Sequence, residues 1–126
     1  MKQIFAALAA ACVIATSSGA FAMSPAQSMN TDLGPVLADS KGMTLYTFRK
    51  DKPGKSVCNG QCAALWPPLT AADGAMADGD YSVITRDDGS KQWAYKGMAL
   101  YGWVKDKKPG DTTGNGVKGI WDVARP

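Results

Sequence analysis

Two short clusters of side chains carry groups capable of chemistry, and they lie 55 residues apart. Tyr46, Phe48 and Asp51 in the first are answered by Tyr101, Trp103 and Asp106 in the second. On a strand, positions i and i+2 share a face, so each tyrosine points the same way as the aromatic after it, and Leu45 or Leu100 points the other way. The aspartate then falls in the turn beyond the strand. Two readings follow. Phenol and carboxylate define a small polar site, made twice, or the aromatics are core and each aspartate fixes its own Asp-Lys…Pro-Gly turn by accepting backbone N–H groups. The second is preferred, because a folding unit must be present in both halves. A tyrosine hydroxyl donating to the aspartate of its own turn satisfies both.

Cys58 and Cys62 are the other reactive pair. With Cys12 removed by processing they are an even count in an exported chain, which makes a disulfide the default. A regular helix holds residues four apart at about 5–6 Å between Cβ atoms, too far for a bridge, and Asn59-Gly60 permits a non-helical turn between them. So small a loop pins a local segment and does not hold the domain together. The second half has Gly114 where the first has Cys58, so the pair is an addition to the repeated unit. The alternatives are thiol–disulfide exchange and binding of soft Cu(I) by two thiolates, with Met43, Met76 or Met98 as a thioether ligand. The C-x-x-x-C spacing lacks the geometry of a thioredoxin-like motif, and the methionines are scattered.

The chain has no His and no Glu. Imidazole bases, Ser-His-Asp triads, Cys-His pairs and His-ligated zinc are excluded together, since each needs a ring nitrogen. No catalytic constellation is left, and the chain is read as a non-enzyme without a cofactor, copper being the alternative. Net charge is +3 with both signs interspersed, too weak for a nucleic-acid footprint. Asp78, Asp80, Asp87 and Asp88 lack the ligand order of a calcium loop and read as turn and surface residues. The aromatics, including Trp66, Trp93 and Trp121, are read chiefly as core, with stacking on glycan rings as the alternative.

The elements that must position these groups follow from turn residues and alternation. Gly, Pro, Asp and Thr favour turns and strands over helix. Pro35–Ala38 is expected to pair with Met43–Phe48 across an Asp39–Gly42 turn. Tyr81–Arg86, Lys91–Tyr95 and Met98–Val104 make a three-strand meander, and Ile120–Ala124 closes the domain. One short helix is expected over Gln61–Leu65, stopped by Pro67-Pro68. The 55-residue spacing extends well beyond the two clusters. Gly42-Met43 answers Gly97-Met98; after one inserted residue, Pro53-Gly54 answers Pro109-Gly110 and Asn59-Gly60 answers Asn115-Gly116; Trp66 and Trp121 then fall in register again. The expected fold is mainly β: one small domain of two pseudo-symmetric β-hairpin repeats with long loops and at most one short helix.

Upstream, Lys2, an apolar run from Ile4 to Ala15 and Ala20-Phe21-Ala22 read as a signal peptide over 1–22, cut after Ala22. The run is shorter than the about 20 apolar residues of a spanning helix, and no later segment is apolar enough to span. Removing 1–22 takes one cation, Lys2, and leaves +2 on the remainder. Residues 23–32 are expected to be a flexible lead and 33–126 the repeat domain, with copies at about 35–69 and 91–124. The alternative to a freely exported product is a lipid anchor on Cys12, since Leu8–Cys12 loosely imitates a lipoprotein cleavage box.

On the paired Tyr-x-aromatic-x-x-Asp motifs, the Cys-Asn-Gly-Gln-Cys segment with Trp66-Pro67-Pro68-Leu69, and the closing Gly119-Ile120-Trp121, the chain resembles a bacterial secreted-repeat family of predicted lipoproteins recognised by Y-x-(F/W/Y)-x-x-D. The resemblance implies an envelope address and no defined activity. The expected function is that of a non-enzymatic periplasmic or secreted protein acting on an unknown envelope component. Copper or thiol handling through Cys58 and Cys62, and glycan binding, are the alternatives.

Overall fold

The computed structural model describes residues 24–126. The signal peptide read over 1–22, its cut after Ala22 and Cys12 lie outside the described residues. Among the described residues, seven strands make three small antiparallel sheets: β1 (Gln27–Thr31) with β2 (Gly34–Ala38), β3 (Tyr46–Phe48) with β7 (Trp121–Val123), and β4 (Tyr81–Thr85), β5 (Lys91–Tyr95) and β6 (Met98–Ala99) in that order. The one α-helix among the described residues, α1, covers Gln61–Leu65 as the sequence predicts. A 3₁₀ turn at Val117–Gly119 takes its place in the second half. No helix among the described residues is long and apolar enough to cross a membrane. The domain is mainly β, built from two repeats.

Of the flexible lead expected over 23–32, the stretch 27–31 is corrected. Residues 27–31 form β1, paired with β2 from Gln27↔Ala38 to Thr31↔Gly34. This strand is polar and mostly exposed, so alternation does not reveal it; backbone hydrogen bonds and the Thr31–Gly34 turn hold it. Gly34 there has φ +87°, and the Thr31 Oγ1 accepts from the Leu33 N–H at 3.1 Å. The partner of β4 is β5, so β1–β2 and β4–β5 are equivalent hairpins.

Pairing of Pro35–Ala38 with Met43–Phe48 is correct only at its start, where Ala38 bridges Thr44 and the Leu45 N–H donates to the Leu37 carbonyl at 2.9 Å. Beyond that point β3 leaves its own hairpin. Its register partner is β7 of the other copy, Tyr46↔Val123 to Phe48↔Trp121. Tyr46 and Tyr101 also exchange two backbone hydrogen bonds, at 2.7 and 3.0 Å, where the two repeats meet. The third strand of the meander shortens likewise to Met98–Ala99: the Leu100 N–H still donates to the Trp93 carbonyl of β5, but the Leu100 carbonyl accepts from Leu69, and from Tyr101 onward the chain bonds Tyr46 and Pro67 instead.

The two strand faces bury different clusters. Tyr46, Phe48, Trp66, Tyr101 and Trp121 form one with Val36 and Val123; Leu37, Leu45, Leu100 and Ala124 form the other. Alternating side chains of one short segment therefore reach opposite sides of the domain, which is why both Leu45 and Tyr46 are fully buried.

Candidate functional site

The Tyr and Asp side chains of the two motifs meet, but across the repeats. The Tyr46 hydroxyl donates to Asp106 Oδ2 at 2.7 Å, and the Tyr101 hydroxyl donates to Asp51 Oδ2 at 2.6 Å. The expected bond within each motif's own turn is thus overturned. The physical reason lies in the strand: β3 pairs with the other copy, so its tyrosine is carried over that copy's turn. The other half of the expectation holds. Asp51 Oδ1 accepts the Val57 N–H at 2.7 Å, and Asp106 Oδ1 accepts the Thr113 N–H at 3.0 Å and the Thr113 hydroxyl at 2.6 Å. Each carboxylate therefore orders its own loop with one oxygen and clasps the other copy with the second.

The two clasps differ behind the phenol. At Tyr46 the oxygen accepts the Gly114 N–H at 3.1 Å. A Cβ on Gly114 would lie 2.9 Å from both the Trp66 and Tyr46 rings, so the close approach requires glycine. At Tyr101, whose one proton goes to Asp51, the Ser56 hydroxyl is the donor at 2.6 Å. Ser56 in turn accepts from Arg86 Nη1 at 2.9 Å. Arg86 is buried and also donates to Gln92 Oε1 at 2.8 Å, the Cys58 carbonyl at 2.6 Å and Asn59 Oδ1 at 3.2 Å. Burial, then the hydrogen bond to the opposing aspartate, pushes both phenols far up from their ordinary pKa, so they stay protonated donors at neutral pH. Burial also raises the Asp51 carboxyl, against the lowering effect of Tyr101, Val57 and Arg86.

Between the clasps runs a stack of four rings. Trp103 lies on Trp66 (centroids 3.9 Å), Trp66 on Trp121 (3.8 Å, 3° between planes) and Trp121 on Phe48 (4.3 Å). Tyr46 meets Trp66 edge-on and Tyr101 meets Trp121 edge-on, so the pseudo-twofold relation passes between the two central tryptophans. Trp66 and Trp121 have both faces covered by neighbouring rings, which leaves no face on either for a sugar. Lys105 Nζ lies 5.9 Å over the Trp103 ring. Trp93, whose strand phase the sequence leaves open, is half-buried on β5 opposite Val83. A cleft of about 270 Å³ opens along one side of the stack, with aliphatic walls and Lys118 at its rim.

Cys58 and Cys62 are joined in a disulfide, with Cα atoms 5.2 Å apart. Gly60, at φ +58°, supplies the expected non-helical turn between them. Cys58 is fully buried beneath the Arg86 contact and Cys62 is half-buried beside the cleft. Of the methionines considered with them, Met76 is exposed, at 80%. Asp88 accepts the Ser90 N–H at 2.9 Å to hold the β4–β5 turn, and Asp87 pairs with Lys55 and Asn59.

All six motif residues thus sit in one assembly. Sequence reasoning missed Arg86, Ser56, Gly114 and Lys118. Arg86 carries no sequence signal, since the 55-residue spacing places Thr31 at its counterpart position.

The fold defines a class: a tandem-repeat β domain whose two copies are interlocked through their own motifs. A sequence profile for a secreted repeat of unknown function matches residues 27–70 and 82–125, and the chain belongs to that family. The matched repeats start earlier than the copies expected at about 35–69 and 91–124, because they include β1 and most of β4. No curated protein and no solved structure matches the chain significantly.

Proposed function

We propose that this is a non-enzymatic protein of the periplasm or outer cell surface, exported by its first 22 residues, that binds or supports a component of the cell envelope. The observation that carries this reading is the fate of the motif. Its phenols and carboxylates are buried, mutually bonded and committed to joining the repeats, so they are not free to act on a substrate. The cleft beside the aromatic stack, by contrast, faces outward. The family's description as secreted supports the address.

Expression of the full chain in a Gram-negative host, with fractionation and mass spectrometry of the mature N-terminus, tests the address. The expected product is periplasmic and begins at unmodified Met23; a lipid on Cys12 overturns the unanchored form. Saturable co-sedimentation with purified envelope fragments is the expected sign of binding, and its absence with both sacculi and membrane vesicles overturns the binding role.

A further inference from the structure

The cleft sits on the relation between the two repeats. Its apolar lining falls into three matched pairs, Phe48 with Trp103, Leu65 with Ile120 and Trp66 with Trp121, one member from each copy. Two further pairs have diverged: Gln61 stands opposite Val117, and Cys62 opposite Lys118, at the offset that also equates Asn59-Gly60 with Asn115-Gly116. The apolar shape is twofold, and the charge is one-sided.

Three features state what this cleft accepts. Its central floor is made of ring edges, because the faces of Trp66 and Trp121 are closed by the stack; aromatic edges carry the positive end of the ring quadrupole. Its walls at Leu65, Val117 and Ile120 are aliphatic. Among the described residues, the one ionised side chain lining it is Lys118 and no carboxylate lines it; Asp122 on the adjoining strand is held by Nε and Nη2 of Arg49, at 2.8 and 2.9 Å. Lys118 is also held at φ +53°, a conformation a lysine rarely adopts, within the 3₁₀ turn between Gly116 and Gly119. A pyranose or a nucleobase needs several hydrogen-bonding groups, whereas the described side chains of this lining offer the Gln61 amide and the Lys118 ammonium.

We propose that the cleft binds an aliphatic carboxylate, its hydrocarbon chain lying along the ring edges and its anion at Lys118. This names the ligand class for the envelope-binding reading above and rests on it. At roughly 30 Å³ per water-sized group, 270 Å³ admits about nine heavy atoms, close to the ten of octanoate, whose carboxylate would lie at the open rim beside Lys118.

The test is titration of the full domain with octanoate, followed through the tryptophan indole N–H signals. Trp66, Trp103 and Trp121 should shift in a saturable way while Trp93, outside the cleft, stays put. Octylammonium, with the same chain and opposite charge, should bind at least several-fold more weakly. Lys118→Gln should weaken octanoate by about fivefold, as expected for one exposed ion pair, and Lys118→Arg should restore it. Equal binding of octylammonium, equal shifts at Trp93, or no change in Lys118→Gln overturns the proposal. So does tighter binding of an N-acetyl Val-Leu dipeptide than of octanoate, which would make the occupant a peptide C-terminus. If octanoate fails while envelope fragments still co-sediment, the ligand class is wrong and the broader function stands.

Discussion

The Tyr101–Asp51 clasp and the Tyr46–Asp106 clasp share a plan and differ in what stands behind the phenol. In both, one carboxylate oxygen orders a loop and the other receives a hydroxyl from the opposite repeat. Behind Tyr46 there is only a backbone N–H, delivered by a glycine pressed against two rings. Behind Tyr101 a serine, a buried arginine and a disulfide-bonded loop extend the network to β4 and β5. One clasp relies on close packing and the other on polar connection. Duplication therefore preserved the part that joins the copies and released the surroundings to diverge.

That contrast can be broken most severely at Arg86. Arg86→Met keeps the volume but strips donors from the Cys58 carbonyl, Gln92 and Ser56 in a buried site, and should cost about 3–5 kcal/mol in urea unfolding. The matching lesion in the other clasp is Gly114→Ala. Its methyl would overlap Trp66, which is fixed between two stacked rings, and should cost about 1–3 kcal/mol, or on the order of 4–8 °C in Tm per kcal/mol. Replacing both Cys58 and Cys62 by Ser should cost about 2 kcal/mol, because the closed loop is short, and should leave the Tyr46 clasp intact by NMR.

The smallest effect is the pH dependence of Asp51. Its folded pKa lies above the unfolded value, so the folded state holds the extra proton. The stability from this group is fully present below the unfolded pKa and is lost as pH rises through the raised folded pKa. A carboxyl-carbon titration should place Asp51 above the ordinary aspartate range, and Tyr101→Phe, which removes a hydrogen bond to the carboxylate, should move it further up.

Much of this was legible from residue types. The 55-residue spacing identifies the repeats, Gln61–Leu65 the helix, and Cys58 and Cys62 the bridge. The crossing of the clasps was not legible, for a physical reason: identical motifs specify that a tyrosine meets an aspartate but not which copy supplies it. That choice is made by β3 pairing with β7, a contact over some 75 positions of chain. β1 escaped because its polar face and edge position leave no alternation to read. Arg86 escaped because its partners are a hydroxyl, an amide and a carbonyl from distant segments, not a carboxylate at helical or strand spacing.

The interlocking of the repeats is tested most directly by double-mutant cycles on the four motif residues. Tyr46→Phe combined with Asp106→Ala, and Tyr101→Phe combined with Asp51→Ala, should each show a coupling of about 1–2 kcal/mol. The pairs within one motif, Tyr46 with Asp51 and Tyr101 with Asp106, should be additive within about 0.5 kcal/mol. Coupling within motifs and additivity across them would contradict the crossed arrangement.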